Sequence, residues 1–192
     1  MSFIPAFEIG IWNAWIFMIW TIVTPILSSF IIKEKKVLKI LRTSAPMKYE
    51  KVLNVISMSV VIFGFLYSIF LPLKFNAIWF YIGLLIFLFG FIFDSSVLIT
   101  LRDAKLDKPF TNGPYKYSRH PLYFALFVII ISISIMSLSW VFLIIAIICG
   151  IHLILVAPVE EEYCLKKYGK IYQEYIERTP RWIGIPKSGK KQ

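Results

Sequence analysis

A chain of 192 residues with 58% hydrophobic and only 17% charged residues is too apolar for a soluble domain, and its long unbroken apolar runs point to an integral membrane protein. The formal net charge of +10 is no nucleic-acid footprint, because the basic residues gather between apolar runs, where anionic lipid headgroups attract them. Two cysteines, Cys149 within an apolar run and Cys164 beyond it, exclude a disulfide framework and a Cys-rich zinc site.

Apolar blocks at 9–32, 52–73, 77–101, 120–138 and 140–159 each approach the roughly 20 residues of a spanning helix. The expected fold is an all-α integral membrane protein, a single domain over 1–192 with five transmembrane helices and a cytoplasmic amphipathic helix at its C-terminus. No Lys or Arg precedes the first block and no small-residue cleavage site follows it, so it is expected to remain as a span. Charge placement tests the count independently, since Lys and Arg accumulate in cytoplasmic loops. Of the 21 basic residues, seven lie in 33–51, five in 102–119 and eight in 166–191. An outside N-terminus puts these three segments and the C-terminus in the cytoplasm, with Lys74 alone on the other side.

In chain order, Trp12, Trp15 and Trp20 open the first span and suit anchoring or packing at the interface. The basic linker 33–51 carries the helix-breaking run Thr43, Ser44, Ala45 and Pro46. Spans two and three are separated by Lys74, Phe75 and Asn76, which predicts an antiparallel hairpin, and Gly64 and Ser68 form a small-xxx-small pair. Asp94 lies within the third apolar block, where a carboxylate is a functional hypothesis by default. Its alternative is an interfacial position bonded to Ser95, Ser96 or a loop cation. Spans four and five meet at Ser139 in a second tight hairpin. His152 has no second His or acid at ligand spacing, so a hydrogen bond inside the bundle is expected and no metal site. Beyond 159, Leu165, Tyr168, Tyr172, Tyr175 and Ile176 recur at helical spacing, predicting one amphipathic helix that lies on the membrane or folds over the bundle, ended by Pro180 and Pro186.

Chemistry concentrates in 102–123 and 160–186. The first segment holds a turn at Asn112, Gly113 and Pro114, followed by Arg119, His120 and Pro121. Proline favours the first turn of a helix, so the fourth span is expected to start here, with amides, dipole and two basic side chains making an anion site. Opposite stand Glu160, Glu161 and Glu162 at the cytoplasmic end of the fifth span, where acids oppose the helix dipole and repel one another. Either the helix continues, or a cation compensates: Arg119, Arg178, Arg181 or a charged ligand. A ligand with both a carboxylate and an ammonium would be held at both ends.

The run GPYKYSRHPLY, then a helical hairpin, then EEEY and YGKIYQEYIERTP, resembles the isoprenylcysteine carboxyl methyltransferase and phospholipid methyltransferase superfamily, most closely its small five-span prokaryotic members. The resemblance covers about 110–186. It implies an enzyme that binds S-adenosylmethionine at the cytoplasmic face and methylates a lipophilic acceptor entering from the bilayer, with no nucleic acid and no obligate protein partner. Carried over residue by residue, Tyr115, His120, Pro121 and Tyr123 line the cofactor, with Arg119 and Leu122 beside them. Asp107, Lys108, Pro109 and Phe110 approach it through their backbone, and one of Glu160, Glu161 and Glu162 meets its amino group. Glu162 and Arg178 are the candidate catalytic residues: an acceptor with a proton to lose would give it to a glutamate or a tyrosine, and Arg178 would close the site or hold a substrate anion. Two positions depart from the pattern. Val156, Ala157, Pro158 and Val159 stand where prenylcysteine enzymes place an arginine, and Ala125 where many relatives have glycine. The rival readings are a nicotinamide-dependent membrane reductase of the sterol type and a small transporter or assembly factor.

Overall fold

The computed structural model describes residues 8–31, 50–102, 104 and 107–187. The basic linker, with Thr43 to Pro46, lies outside them except for its last two residues. Among the described residues the chain forms six α-helices and one short 3-10 turn, with one isolated β-bridge between Asn13 and Pro72 and no strand. The helices are α1 (Trp15–Ile31), α2 (Glu50–Ser68), α3 (Ile78–Leu101), α4 (Pro121–Ser137), α5 (Trp140–Tyr168) and α6 (Lys170–Arg178), and the 3-10 turn is Gly113–Lys116. Two of them, α3 with 24 residues and α5 with 29, are long and apolar enough to cross a membrane; α1, α4 and the stretch Met58–Ser68 of α2 are shorter apolar helices. The fold is all-α, as the sequence predicts.

Helix α4 is the centre. It packs against α1, α3 and α5, and it is apolar all round, the pattern of a helix surrounded by others. Its buried serines cost little, because Ser132 and Ser137 donate to the Ile129 and Ile133 carbonyls at 2.6 Å. Leu138, with φ 51°, and Ser139, which caps α5 by accepting from the Phe142 amide, make the tight hairpin expected between spans four and five. The residues of α1 reach α3 mainly through aromatic contacts: Phe17 lies edge-on to Phe87 at 4.8 Å, and Trp20 against Phe91 at 4.3 Å.

The hairpin expected from spans two and three does not form. Among the described residues α2 packs on α1 and α5, whereas α3 packs on α4, and α1 touches both α2 and α3. The reason is in the connection. Helix α2 stops at Ser68 rather than near residue 73, and 69–73 instead bond to the residues ahead of α1. Ala14 N–H donates to the Leu71 carbonyl at 2.9 Å, Leu73 N–H to that of Trp12 at 3.3 Å, and the Asn13 amide to the carbonyls of Glu8 and Ile69 at 2.6 and 2.7 Å. The ends of two apolar blocks thus satisfy each other's backbone, and the resulting nine-residue link 69–77 is long enough to step over α1. Gly64, of the small-residue pair, faces Ile145 and Met18 of α5 and α1. His152 takes no hydrogen bond among the described residues, contrary to expectation; it is half-buried.

Candidate functional site

The start of α4 is built as its sequence requires. Pro121 occupies the first helical position, His120 is the N-cap residue, and Ser118 Oγ accepts the His120 amide at 3.1 Å. Ahead of it the 3-10 turn packs on the end of α3. Gly113 has φ +56°, and a Cβ there would lie 2.3 Å from Thr100 Oγ1, so both conformation and space call for glycine. Tyr115 is thereby buried against Val97 and Leu101, edge-on to Phe110 at 5.8 Å.

Helix α5 does not stop at Val159. It runs through the acidic triplet to Tyr168, which removes the conflict between three acids and a helix C-terminus. At roughly 100° per residue the three carboxylates then part company. Glu161 turns inward, 6% exposed. Arg181 grips it with two bonds, Nε to Oε1 at 2.9 Å and Nη2 to Oε2 at 2.8 Å, while Arg119 Nη1 lies 3.2 Å from Oε2 and His120 Nε2 3.1 Å from Oε1. Glu160 accepts a short hydrogen bond from the Tyr123 hydroxyl and lies 3.4 Å from His120 Nδ1. Glu162 points to solvent and pairs with Lys166, one turn on.

The tail returns over this cluster in a form the periodicity did not give. Gly169, with φ +56°, breaks the expected single helix, leaving Leu165 and Tyr168 on α5 and Tyr172 and Tyr175 on α6. Tyr175 is buried and its hydroxyl donates to the Tyr115 carbonyl at 2.7 Å. After α6 the chain is tied along the start of α4: Arg119 N–H donates to the Pro180 carbonyl, Gly184 N–H to that of Tyr117, and Ser118 Oγ to that of Arg181. Trp182 lies 6.1 Å from the His120 ring. Tyr175→Phe is expected to cost about 1 kcal/mol, or about 2–4 °C in thermal unfolding of the detergent-purified protein, because it strips a buried carbonyl of its donor. An unchanged melting temperature would show that the tail is not held there.

Electrostatics follow from this packing. Burial pushes the Glu161 carboxyl up, but the bonds from His120 and Arg181 and the charge of Arg119 outweigh it and hold the group at about 2. Burial pulls the His120 imidazole down, and Glu160 and Glu161 more than reverse that, leaving it above its ordinary value. Burial also raises the phenols of Tyr115, Tyr172 and Tyr175, and the Cys164 thiol to about 11. These groups therefore stay protonated at neutral pH. Among the described residues no cluster of His, Cys, Asp and Glu suits a metal ion.

Above the cluster lies a cavity of about 130 Å³. Of the residues singled out in the sequence, Pro109, Phe110 and Tyr115 line it from the loop, Arg119 to Tyr123 from the start of α4, and Glu160 from α5. Glu161 sits behind the wall as its anchor. Asp107 and Lys108 are exposed beside it. The structure does not bring Glu162 or Arg178 to the cavity: both are exposed, and Arg178 Nε turns back to the Glu174 carbonyl at 3.3 Å. The tail arginine that reaches the acids is Arg181. The rest of the lining is Tyr163, Cys164, Tyr168, Tyr172 and Tyr175. The spacing of Tyr168, Tyr172 and Tyr175 marked them as an apolar face without showing what they cover, Tyr163 entered only as the last residue of the EEEY run, and Cys164 carried no signal. Among the described residues one buried polar side-chain atom is orphaned: Arg119 Nε, on a residue that lines this cavity, has no hydrogen-bond partner. An acceptor group inside the cavity would satisfy it.

A family model described as phospholipid methyltransferase matches residues 78–171, from the first turn of α3 to the start of α6. That family lies within the isoprenylcysteine carboxyl methyltransferase superfamily, the group that the residue pattern resembles. No curated protein matches the chain.

Proposed function

We propose, from the premise that residues 78–171 belong to the phospholipid methyltransferase family, that this integral membrane protein transfers a methyl group from S-adenosylmethionine to a lipophilic acceptor. The observation that carries the reading is the unpartnered Nε of Arg119, a residue that lines a cavity together with Glu160 and five tyrosines besides Tyr123. A zwitterion matches that wall at both ends: its carboxylate would accept from Arg119, and its ammonium would add to the partners of the Glu160 carboxylate. Aromatic faces suit both a sulfonium and a purine ring.

When bound, S-adenosylmethionine would supply an electrophilic methyl carbon and a thioether leaving group to the acceptor's lone pair. No covalent protein residue is needed, so alignment and exclusion of water are the protein's tasks. The tyrosines of α5 and α6 close the site against water, and the Glu161 cluster fixes Arg119 and His120 in place. An acceptor with a proton to lose meets Tyr123, whose hydroxyl is bonded to Glu160. Five spans, an outside N-terminus and a cytoplasmic site accord with the basic residues at 33–51, 102–119 and 166–191.

The test is thermal unfolding of the detergent-purified protein with S-adenosylhomocysteine, NADPH or neither. Stabilisation by S-adenosylhomocysteine is expected, by about 3 kcal/mol at a hundredfold excess over Kd. Stabilisation by NADPH alone would replace the transferase reading with a reductase.

A further inference from the structure

Beside the polar cavity lies a larger one, of about 360 Å³, lined by α1, α3 and α4. Leu122 and Tyr123 form a wall common to both. Its lining is apolar apart from a few groups of α1, Asp94 of α3 and Tyr123 of α4, whose hydroxyl donates to Glu160. The α1 hydroxyls are directed within the protein: Thr21 donates to the Met18 carbonyl, Ser28 to that of Pro25, and Thr24 to the Trp20 carbonyl and to Asp94. Asp94 is therefore the charged feature of the lining that can meet a guest. It is 4% exposed. Trp20 Nε1 and Thr24 Oγ1 both approach its Oδ2 at 3.1 Å, and no described residue bonds Oδ1. The partners expected from sequence, Ser95 and Ser96, bond instead to the Phe91 and Phe93 carbonyls. A carboxylate built into an apolar cavity, with one oxygen held and the other unbound, is a recognition group rather than a packing residue.

We infer that this second cavity seats the head of the methyl acceptor, and that Asp94 selects acceptors whose head carries an N–H or O–H donor against those that carry a carboxylate. The inference rests on the methyl-transfer reading above. It follows from what the cavity lacks as well as from what it holds. A carboxylate guest would face Asp94 with no cation and no uncommitted hydroxyl among the described lining, whereas an ammonium or hydroxyl finds an acceptor at Oδ1. The shared wall puts such a head next to Tyr123, the residue that also borders the polar cavity. Because the cavity opens among apolar helix faces, the acceptor's chain stays in hydrocarbon while its head reaches Asp94.

The test uses the detergent-purified full chain, radiolabelled S-adenosylmethionine, and three acceptors of one chain length: hexadecylamine, hexadecanol and hexadecanoic acid. Labelling of the amine or the alcohol, at least tenfold above the acid, is expected, and the two positive arms tell an ammonium from a hydroxyl. Asp94→Asn is expected to raise the acceptor KM at least tenfold while leaving the thermal shift with S-adenosylhomocysteine intact. Leu126→Trp, which fills the cavity with Asp94 in place, is expected to do the same, so the result does not hang on one substitution at a hydrogen-bonded site. Preferential labelling of the acid, or an unchanged acceptor KM in both variants with the thermal shift retained, overturns the inference alone. Absence of any S-adenosylhomocysteine shift in the unaltered protein overturns the methyl-transfer reading and takes this inference with it.

Discussion

Glu161→Gln is expected to abolish the thermal shift with S-adenosylhomocysteine and to lower the stability of the unliganded protein by about 3–5 kcal/mol, the cost of removing one partner from a buried charge cluster. Glu161 joins three parts of the chain: it stands on α5, Arg119 and His120 belong to the start of α4, and Arg181 to the tail. The amide is nearly isosteric, so the loss is electrostatic. It leaves Arg119, with a side chain only 10% exposed, facing a neutral group. Circular dichroism melts of the two proteins in one detergent measure the difference. A melting temperature within a degree of the parent would show that the cluster contributes nothing to holding the tail.

The same cluster makes stability depend on pH in a stated direction. The Glu161 carboxyl is depressed from 4.5 to about 2, so its contribution is fully present above 4.5 and is lost as the pH falls towards 2. The shift corresponds to about 3 kcal/mol. His120 is raised above 6.5, so its contribution is fully present below 6.5 and is lost as the pH rises through its folded value. Stability should therefore peak between these limits, and Glu161→Gln should flatten the acid side of the profile.

Gly83→Ala is expected to separate α3 from α4 and leave little folded protein, scored as the monodisperse fraction on size exclusion in detergent. A Cβ at Gly83 would lie 2.5 Å from Met136 Cγ and 2.8 Å from both the Met136 amide nitrogen and the Ser132 carbonyl oxygen. The last two are backbone atoms of a helix and cannot step aside as a side-chain end can. Overpacking of this kind costs about 1–3 kcal/mol, and more where backbone must move. Gly64→Ala is the matched control, because its added Cβ would meet only Ile145 and Met18 side chains at 3.5 Å or more. Equal yields of the two variants would contradict the close α3–α4 contact. The site depends on that contact, since α3 carries Asp94 and the floor under Tyr115.

Most of the site's inventory was legible in the chain because its signals are local. Pro121 after Arg119 and His120 announces a helix start with cations at it, and a run of three acids at the end of an apolar block demands compensation. Local chemistry states the demand and not the supplier. Arg119, Arg178 and Arg181 all qualified, and Arg181 does most of the work because Gly169 turns α6 back across the bundle and the loop beyond it pairs with 117–119. The division of labour among the three glutamates is equally a matter of helix rotation. Once α5 runs on past Val159, 100° steps put Glu161 in the core, Glu160 on the cavity wall and Glu162 in water.

Apolar composition, the basic residues set between apolar blocks and the residue order from Tyr115 to Tyr175 determined an all-α chain with membrane-length apolar helices and a resemblance to membrane methyltransferases, its chemistry at one end, because hydropathy and capping are properties of short stretches. Which helices touch was decided elsewhere. A three-residue gap after an apolar block looked like a hairpin loop, but backbone pairing of 12–14 with 71–73 ended α2 early and let α1 come between α2 and α3. That placement brought Trp20 and Thr24 onto Asp94 across some seventy residues of chain and shaped the second cavity. Contacts at such separation leave no periodic trace in a sequence, since they depend on how whole helices pack.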